Sequence, residues 1–212
     1  MDCIGERTSS GRSERNDEDD PDGNDLGPSF PGEDGAGRAG GACAYGAGGL
    51  KRRHMARAKR YWLMKSEPNV YSVADLQRDG HTCWDGVRNY QARNFMRDDM
   101  QVGDEIFFYY SNAQPMGIYG VAKVVREAYP DHTAFDPSDQ HYDPKSDPAN
   151  PTWMMVDVGY VGTFKEPITL ATLKQTPKLE KMLVIQRGSR LSVQPVTPEE
   201  WDIVMHLGEL VP

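Results

Sequence analysis

The residues with the most chemistry in the smallest space run Cys83-Trp84-Asp85-Gly86-Val87-Arg88-Asn89-Tyr90-Gln91-Ala92-Arg93-Asn94. Trp84 offers a flat π face and one indole N–H, and Asp85-Gly86 is a turn dipeptide. Asn89 is placed to cap a helix whose apolar positions are Tyr90, Ala92, Phe95, Met96 and Met100. An aromatic platform followed by a turn and a helix start is what a planar, polar-edged ligand such as a nucleobase needs. The same residues also fit a plainer reading, with Trp84 in the core and Asn89 a cap only.

Other chemistries find less support. His81 and Cys83 stand two apart, the spacing that shares one face of a strand, yet no third residue to orient a Cys–His pair is apparent. The His-x-Glu and Pro-Cys-x-x-Cys signature of zinc deaminases is missing. Asp98 and Asp99 are adjacent, so on a helix they diverge and cannot share a proton. Asp131, His132, Asp136, Asp139, His141 and Asp143 match no ligand spacing, and the Asp-Pro pairs among them are ordinary turn formers. Cys3, Cys43 and Cys83 show no paired spacing and support neither a disulfide framework nor a zinc site. The expectation is a binding protein without catalytic residues, metal or cofactor.

The elements that must position these residues follow in order. Residues 1–54 hold 12 of the chain's 21 glycines and almost no large apolar side chains, so they are expected to be a disordered tail. Met55 reads as a natural start just before the first strand, which leaves 55–212 as the folded domain. Tyr61–Lys65 reads as a strand ended by Ser66-Glu67-Pro68, and Ser72 caps a helix from Val73 to Arg78 that Gly80 stops. The helix after Asn89 is expected to end near Val102-Gly103. Strands are predicted over Glu105–Tyr110, Met116–Val125 and Trp153–Val161, with a turn-rich excursion at 128–151. Gly117 and Gly120 predict bends or close backbone approach. Short helical turns are expected at Thr169–Leu173 and Lys178–Met182, then a strand over Leu191–Pro195. Thr197-Pro198-Glu199-Glu200 opens a helix to about Leu207. Five or six strands among helices predict an α+β domain with a curved or closed sheet.

Charge narrows the partners. The tail carries 11 acidic and 7 basic side chains, leaving 21 and 17 in the rest, so the net charge of −8 divides into −4 and −4. A mildly acidic domain is a poor general binder of duplex phosphate, so any nucleic-acid role must rest on a local pocket or patch. No run reaches a membrane-spanning length and no segment of signal-peptide type is seen, so no membrane partner is expected. The expected location is the cytoplasm, or the nucleus in a eukaryote.

Several blocks together resemble the EVE domain family: Trp62-Leu63-Met64-Lys65-Ser66-Glu67-Pro68, then Trp84 to Asn94, and Val102-Gly103-Asp104-Glu105. Tyr142-Asp143-Pro144-Lys145-Ser146-Asp147 and Arg187-Gly188-Ser189-Arg190-Leu191-Ser192-Val193-Gln194-Pro195 complete the match. The resemblance covers 61 to about 207. It implies a PUA-like mixed β-barrel with flanking helices, kin to the YTH domain that reads methylated adenine in RNA. It also implies a reader of a flipped or single-stranded modified base, above all modified cytosine in DNA. The alternatives are a PUA/YTH-like module for methylated RNA and, behind it, a small nucleotide-processing enzyme. A nuclease or other effector would then act in trans on a monomeric reader. The resemblance makes Lys65, Ser66 and Trp84 counterparts of the YTH cage positions; with Val87, Asn89, Ser111, Asn112 and Ser192 they are the expected base site, and Arg190 is expected to hold a flanking phosphate. Trp84 would stack, Asn89 and Ser66 would read the base edge, and Ser111-Asn112 would form a polar rim. The alternatives are a turn for Ser66 and Ser111-Asn112, a surface salt bridge for Arg190, and snorkelling for Lys65.

Overall fold

The structure, a computed structural model, describes residues 57–212. The tail expected over 1–54, and Met55, lie outside the described residues.

Strands alternate between two buried faces, which explains why Glu105–Tyr110 reads as one continuous apolar run. On β1 (Tyr61–Ser66), Trp62 and Met64 enter one core while Leu63 enters the other. On β3 (Glu105–Tyr110), Ile106, Phe108 and Tyr110 side with the first core, Phe107 and Tyr109 with the second. β2 (His81–Trp84), β4 (Gly117–Pro130), β5 (Met154–Thr169) and β6 (Val193–Val196) complete a mixed sheet ordered β2-β5-β4-β3-β1-β6. β1 and β3 are parallel, and the remaining pairs are antiparallel. A seventh strand, β7 (Leu210–Val211), pairs with β5 and was not anticipated.

Helices cover both faces. On the first, α1 (Val73–Asp79) buries Val73 and Leu76, and α2 (Tyr90–Asn94) buries Ala92. On the second, α3 (Leu170–Gln175) and α4 (Pro198–Leu207) bury Leu173, Trp201 and Val204. Trp201 stacks on Phe107 at 3.9 Å and on Tyr61 at 4.6 Å between ring centroids. The predicted caps form: Ser72 Oγ accepts from Asp75 N at 3.1 Å, and Thr197 Oγ1 accepts from Glu200 N at 3.2 Å, each in a reciprocal capping box.

Three expectations need correction. The sheet is not closed into a barrel: β2 and β6 remain its two ends. A π-helical turn at Phe95–Asp99 packs against β4, β5 and β6, so Met96 and Met100 fill that face where a closing ladder would run. That turn also replaces the single helix expected to reach Gly103. Ala92, Met96 and Met100 recur every four residues, wider than the 3.6-residue α period, and the wider turn keeps all three on one core. Lys178–Met182 is not helical. Lys178 takes a positive φ of 71° while Leu179 and Met182 anchor the segment, and a 3₁₀ turn forms instead at Leu183–Ile185.

Close approach explains the strand glycines. A Cβ on Gly120 would meet the Gly162 carbonyl oxygen and the Val73 side chain, both at 2.7 Å, where β4 and β5 shift register. Within the described residues no helix is long and apolar enough to cross a membrane.

Candidate functional site

The end of β1 gathers much of the expected site. Lys65 and Ser66 pair with Tyr109 and Tyr110 of β3, and Lys65 N donates to the Ser192 carbonyl at 2.8 Å. Ser111 N donates to the Ser66 carbonyl at 3.0 Å. Lys65, Ser66, Ser111 and Ser192 are therefore held together by main-chain bonds, with Asn112 exposed beside them. Their side chains do not all share one face. Ser66 follows Met64 toward the first core and donates to the Tyr71 carbonyl at 2.8 Å, which leaves its oxygen lone pairs as acceptors. Lys65 follows Leu63 to the opposite face, where Nζ donates to the Ser189 carbonyl at 3.3 Å.

Trp84 reaches the first core from the other end of the sheet. It pairs with Val156, meets Phe108 edge to face at 5.4 Å, and is 2% exposed. Val87 is 1% exposed. With its ring enclosed, Trp84 fits the core reading as drawn, and a base could stack on it only after the covering side chains move.

The loop between Trp84 and α2 is built by a network that sequence reasoning missed. Gly86, at φ 70°, sends its N–H to Asp131 Oδ2 at 3.0 Å. Arg88 Nη1 meets the same oxygen at 2.7 Å, Nε donates to the His141 carbonyl at 2.8 Å, and Nη2 donates to Thr133 Oγ1 at 3.0 Å. Burial alone would raise the Asp131 carboxyl, yet the hydrogen bonds from Arg88 and Thr133 hold it below its ordinary value. Asp85 moves the other way. Burial first, then the charges of Asp131 and Asp139, push it up to about 7, and its Oδ1 is buried without a hydrogen-bond partner. The Asp/His run at 131–143 is thus a clamp on this loop, and no metal-ligating cluster occurs among the described residues. The signal was in Asp131-His132-Thr133, an Asx-type turn in which Asp131 Oδ1 accepts from Thr133 N at 2.9 Å.

Asn89 is the cap of α2. Its Oδ1 accepts from Gln91 N at 2.9 Å and Ala92 N at 3.1 Å, so only Nδ2 is left to meet a ligand. Arg190 is exposed and forms no ion pair with a described residue, against the salt-bridge alternative.

The chain is thus a mixed sheet covered on both faces, with a Trp-Asp-Gly-Val-Arg-Asn loop clamped at one end. Residues 60–207 match the EVE domain, and the chain belongs to the EVE domain family. Human thymocyte nuclear protein 1 is 48% identical over 170 residues, which span 72% of this chain and 75% of that protein. A solved structure of human THYN1 in complex with 5-methylcytosine-containing DNA aligns at TM-score 0.67 and 48% identity, covering 73% of this chain and 100% of that one. A crystal structure of a Pseudomonas syringae protein aligns at TM-score 0.67 and 51% identity, covering 69% of this chain and 98% of that one.

Proposed function

We propose that this chain is a non-catalytic reader of a modified base in DNA, with modified cytosine as the ligand. The observation that carries the reading is the likeness, 48% identical and spanning the whole partner chain, to human THYN1 in complex with 5-methylcytosine-containing DNA. The site would lie on the first-core side of the end of β1, where Ser66 has lone pairs to accept from a base edge, with Trp84 entering the same core from the other end of the sheet. Asn89 Nδ2 would supply one donor from the loop, and Ser111-Asn112 the polar rim. Arg190, exposed and without a carboxylate partner among the described residues, fits a phosphate contact that carries no sequence information. The reader would act as a monomer, and an effector such as a nuclease would act in trans.

The test is a titration of the protein with short DNA carrying one central 5-methylcytosine, the same DNA with cytosine, and a methylated RNA of like length. Preference for methylated over plain DNA by about tenfold or more, equivalent to about 1.4 kcal/mol, is the expected result. Equal affinity for the two DNAs would overturn the reading, and tighter binding of the RNA would move it to the RNA class.

A further inference from the structure

Tyr90 is 61% exposed, yet it is not a loose surface side chain. Its ring packs on Trp153 at 4.9 Å between centroids, tilted 35°, and the Arg93 guanidinium carbon lies 5.1 Å from its centroid. Trp153 is itself fixed. Its Nε1 donates to Asp143 Oδ2 at 2.7 Å, and Arg88 and Arg93 lie over its ring at 5.4 and 5.9 Å. Arg93 Nε donates to Asn94 Oδ1 at 2.9 Å and Nη1 to the Thr152 carbonyl. None of these partners is a carboxylate, so among the described residues no ion pair cancels the positive charge of Arg93. The Asp143 and Asp98 carboxylates are engaged by Trp153 and Arg97. The result is a large aromatic face, held in one orientation, open to solvent and backed by a cation.

That combination favours a ring bearing negative charge nearby over an apolar peptide side chain. Stacking on a fixed aromatic is sequence-tolerant because every base has a π face, and a neighbouring arginine adds attraction to the sugar–phosphate backbone. Tyr90 directly follows Asn89, the residue proposed to read the base edge, and stands six positions beyond Trp84 on the same clamped loop. We propose that Tyr90, braced by Trp153 and Arg93, is a second stacking platform that takes a nucleobase flanking the modified one. The inference rests on the reading above and deepens it. Taking a base out of a duplex leaves its neighbours partly unstacked, and an exposed ring offsets that loss.

The experiment compares wild type with Tyr90→Ala, Tyr90→Leu and Tyr90→Phe on the methylated and unmethylated DNA, with thermal melts of each variant. Leu retains an apolar contact with Trp153 and removes the π face, which keeps the test valid if Ala loosens the loop. The expected result is a loss of about tenfold or more for Ala and Leu on both DNAs, with the preference ratio kept and Phe within about twofold of wild type. Ala and Leu binding within twofold of wild type would overturn the platform. If that occurs while wild type still prefers methylated DNA, base reading stands and the surface serves a protein contact instead. If wild type shows no preference but Ala and Leu still lose affinity on both DNAs, the platform stands and base reading fails.

Discussion

Asp85→Asn tests the electrostatics of the loop most directly. The carboxyl is 3% exposed, its Oδ1 has no hydrogen-bond partner, and its surroundings are mostly negative: Asp131 and Asp139, with Tyr129 and its partner Asp157 nearby and Arg88 as the opposing charge. Its pKa rises from 3.8 to about 7 on folding. The folded state therefore holds a proton that the unfolded chain releases at lower pH. This group's stabilising contribution is full below about pH 4 and declines as pH rises toward 7. Above 7 it is lost. At 1.36 kcal/mol per pH unit, a rise from 3.8 to about 7 corresponds to roughly 4 kcal/mol. Asn is isosteric and never charges, so the variant should match wild type near pH 4 and exceed it by about 4 kcal/mol at pH 8. For a domain of this size that is a melting-temperature gain of several degrees. Urea unfolding at half-unit steps from pH 4 to 8.5 reads the effect. A difference between the two proteins that stays flat across that range would refute the reasoning, because the carboxyl would then ionise normally in the fold. Asp131→Asn is the internal comparison. Its carboxyl lies below its ordinary value, so its contribution is present above about pH 4 and lost as pH falls, and that variant should be worst at neutral pH, where Arg88 loses its partner.

Trp84→Ala should cost about 3–5 kcal/mol, as expected for a buried aromatic, measured by urea unfolding. A loss of DNA affinity that merely follows the unfolded fraction would assign Trp84 to the core alone. Asn89→Ala removes the cap, at about 1 kcal/mol, along with the Nδ2 donor, whereas Asn89→Ser keeps a cap and removes only the donor. If Nδ2 reads the base edge, both variants narrow the preference for methylated DNA by about 1–3 kcal/mol, and a Ser variant with full preference would leave Asn89 a cap only. Arg190→Gln should weaken methylated and plain DNA alike and lower the salt slope by about one phosphate contact, seen by titration at two salt concentrations. A changed base preference with an unchanged slope would place Arg190 inside the pocket.

Local chemistry was the most legible part of the sequence. Ser72, Asn89 and Thr197 cap the helices they were expected to cap, because a cap depends on residues within three positions. Gly117 and Gly120 sit at close backbone contacts, as their place within a strand suggested. What could not be read was non-local. β7 has two residues and pairs only because β5 offers an edge, and barrel closure depended on whether β2 and β6 meet across the sheet. The fate of Asp131 was hidden for the same reason: its partners Gly86 and Arg88 lie more than forty residues away. Alternation also had to be combined with register before Lys65 and Ser66, adjacent in sequence, could be assigned to opposite faces.

The loop from Trp84 to Asn94 shows why a dense motif need not be a dense binding site. Gly86 spends its N–H on Asp131, Arg88 spends its guanidinium on Asp131, Thr133 and the His141 carbonyl, and Val87 and Ala92 are buried. Asn89 spends its carbonyl on the helix start. Most of the motif therefore builds the loop and holds it to the 131–143 excursion. Under the proposed reading the groups that would face a ligand are few and scattered: the Asn89 amide nitrogen, the Ser66 oxygen lone pairs, the Ser111-Asn112 rim, the Tyr90 ring and the Arg190 guanidinium. Specificity on this scaffold would then come from where those groups are held. Substitutions in the clamp should accordingly lower affinity for every DNA tested, while substitutions at Ser66 or Asn89 should shift the choice between them.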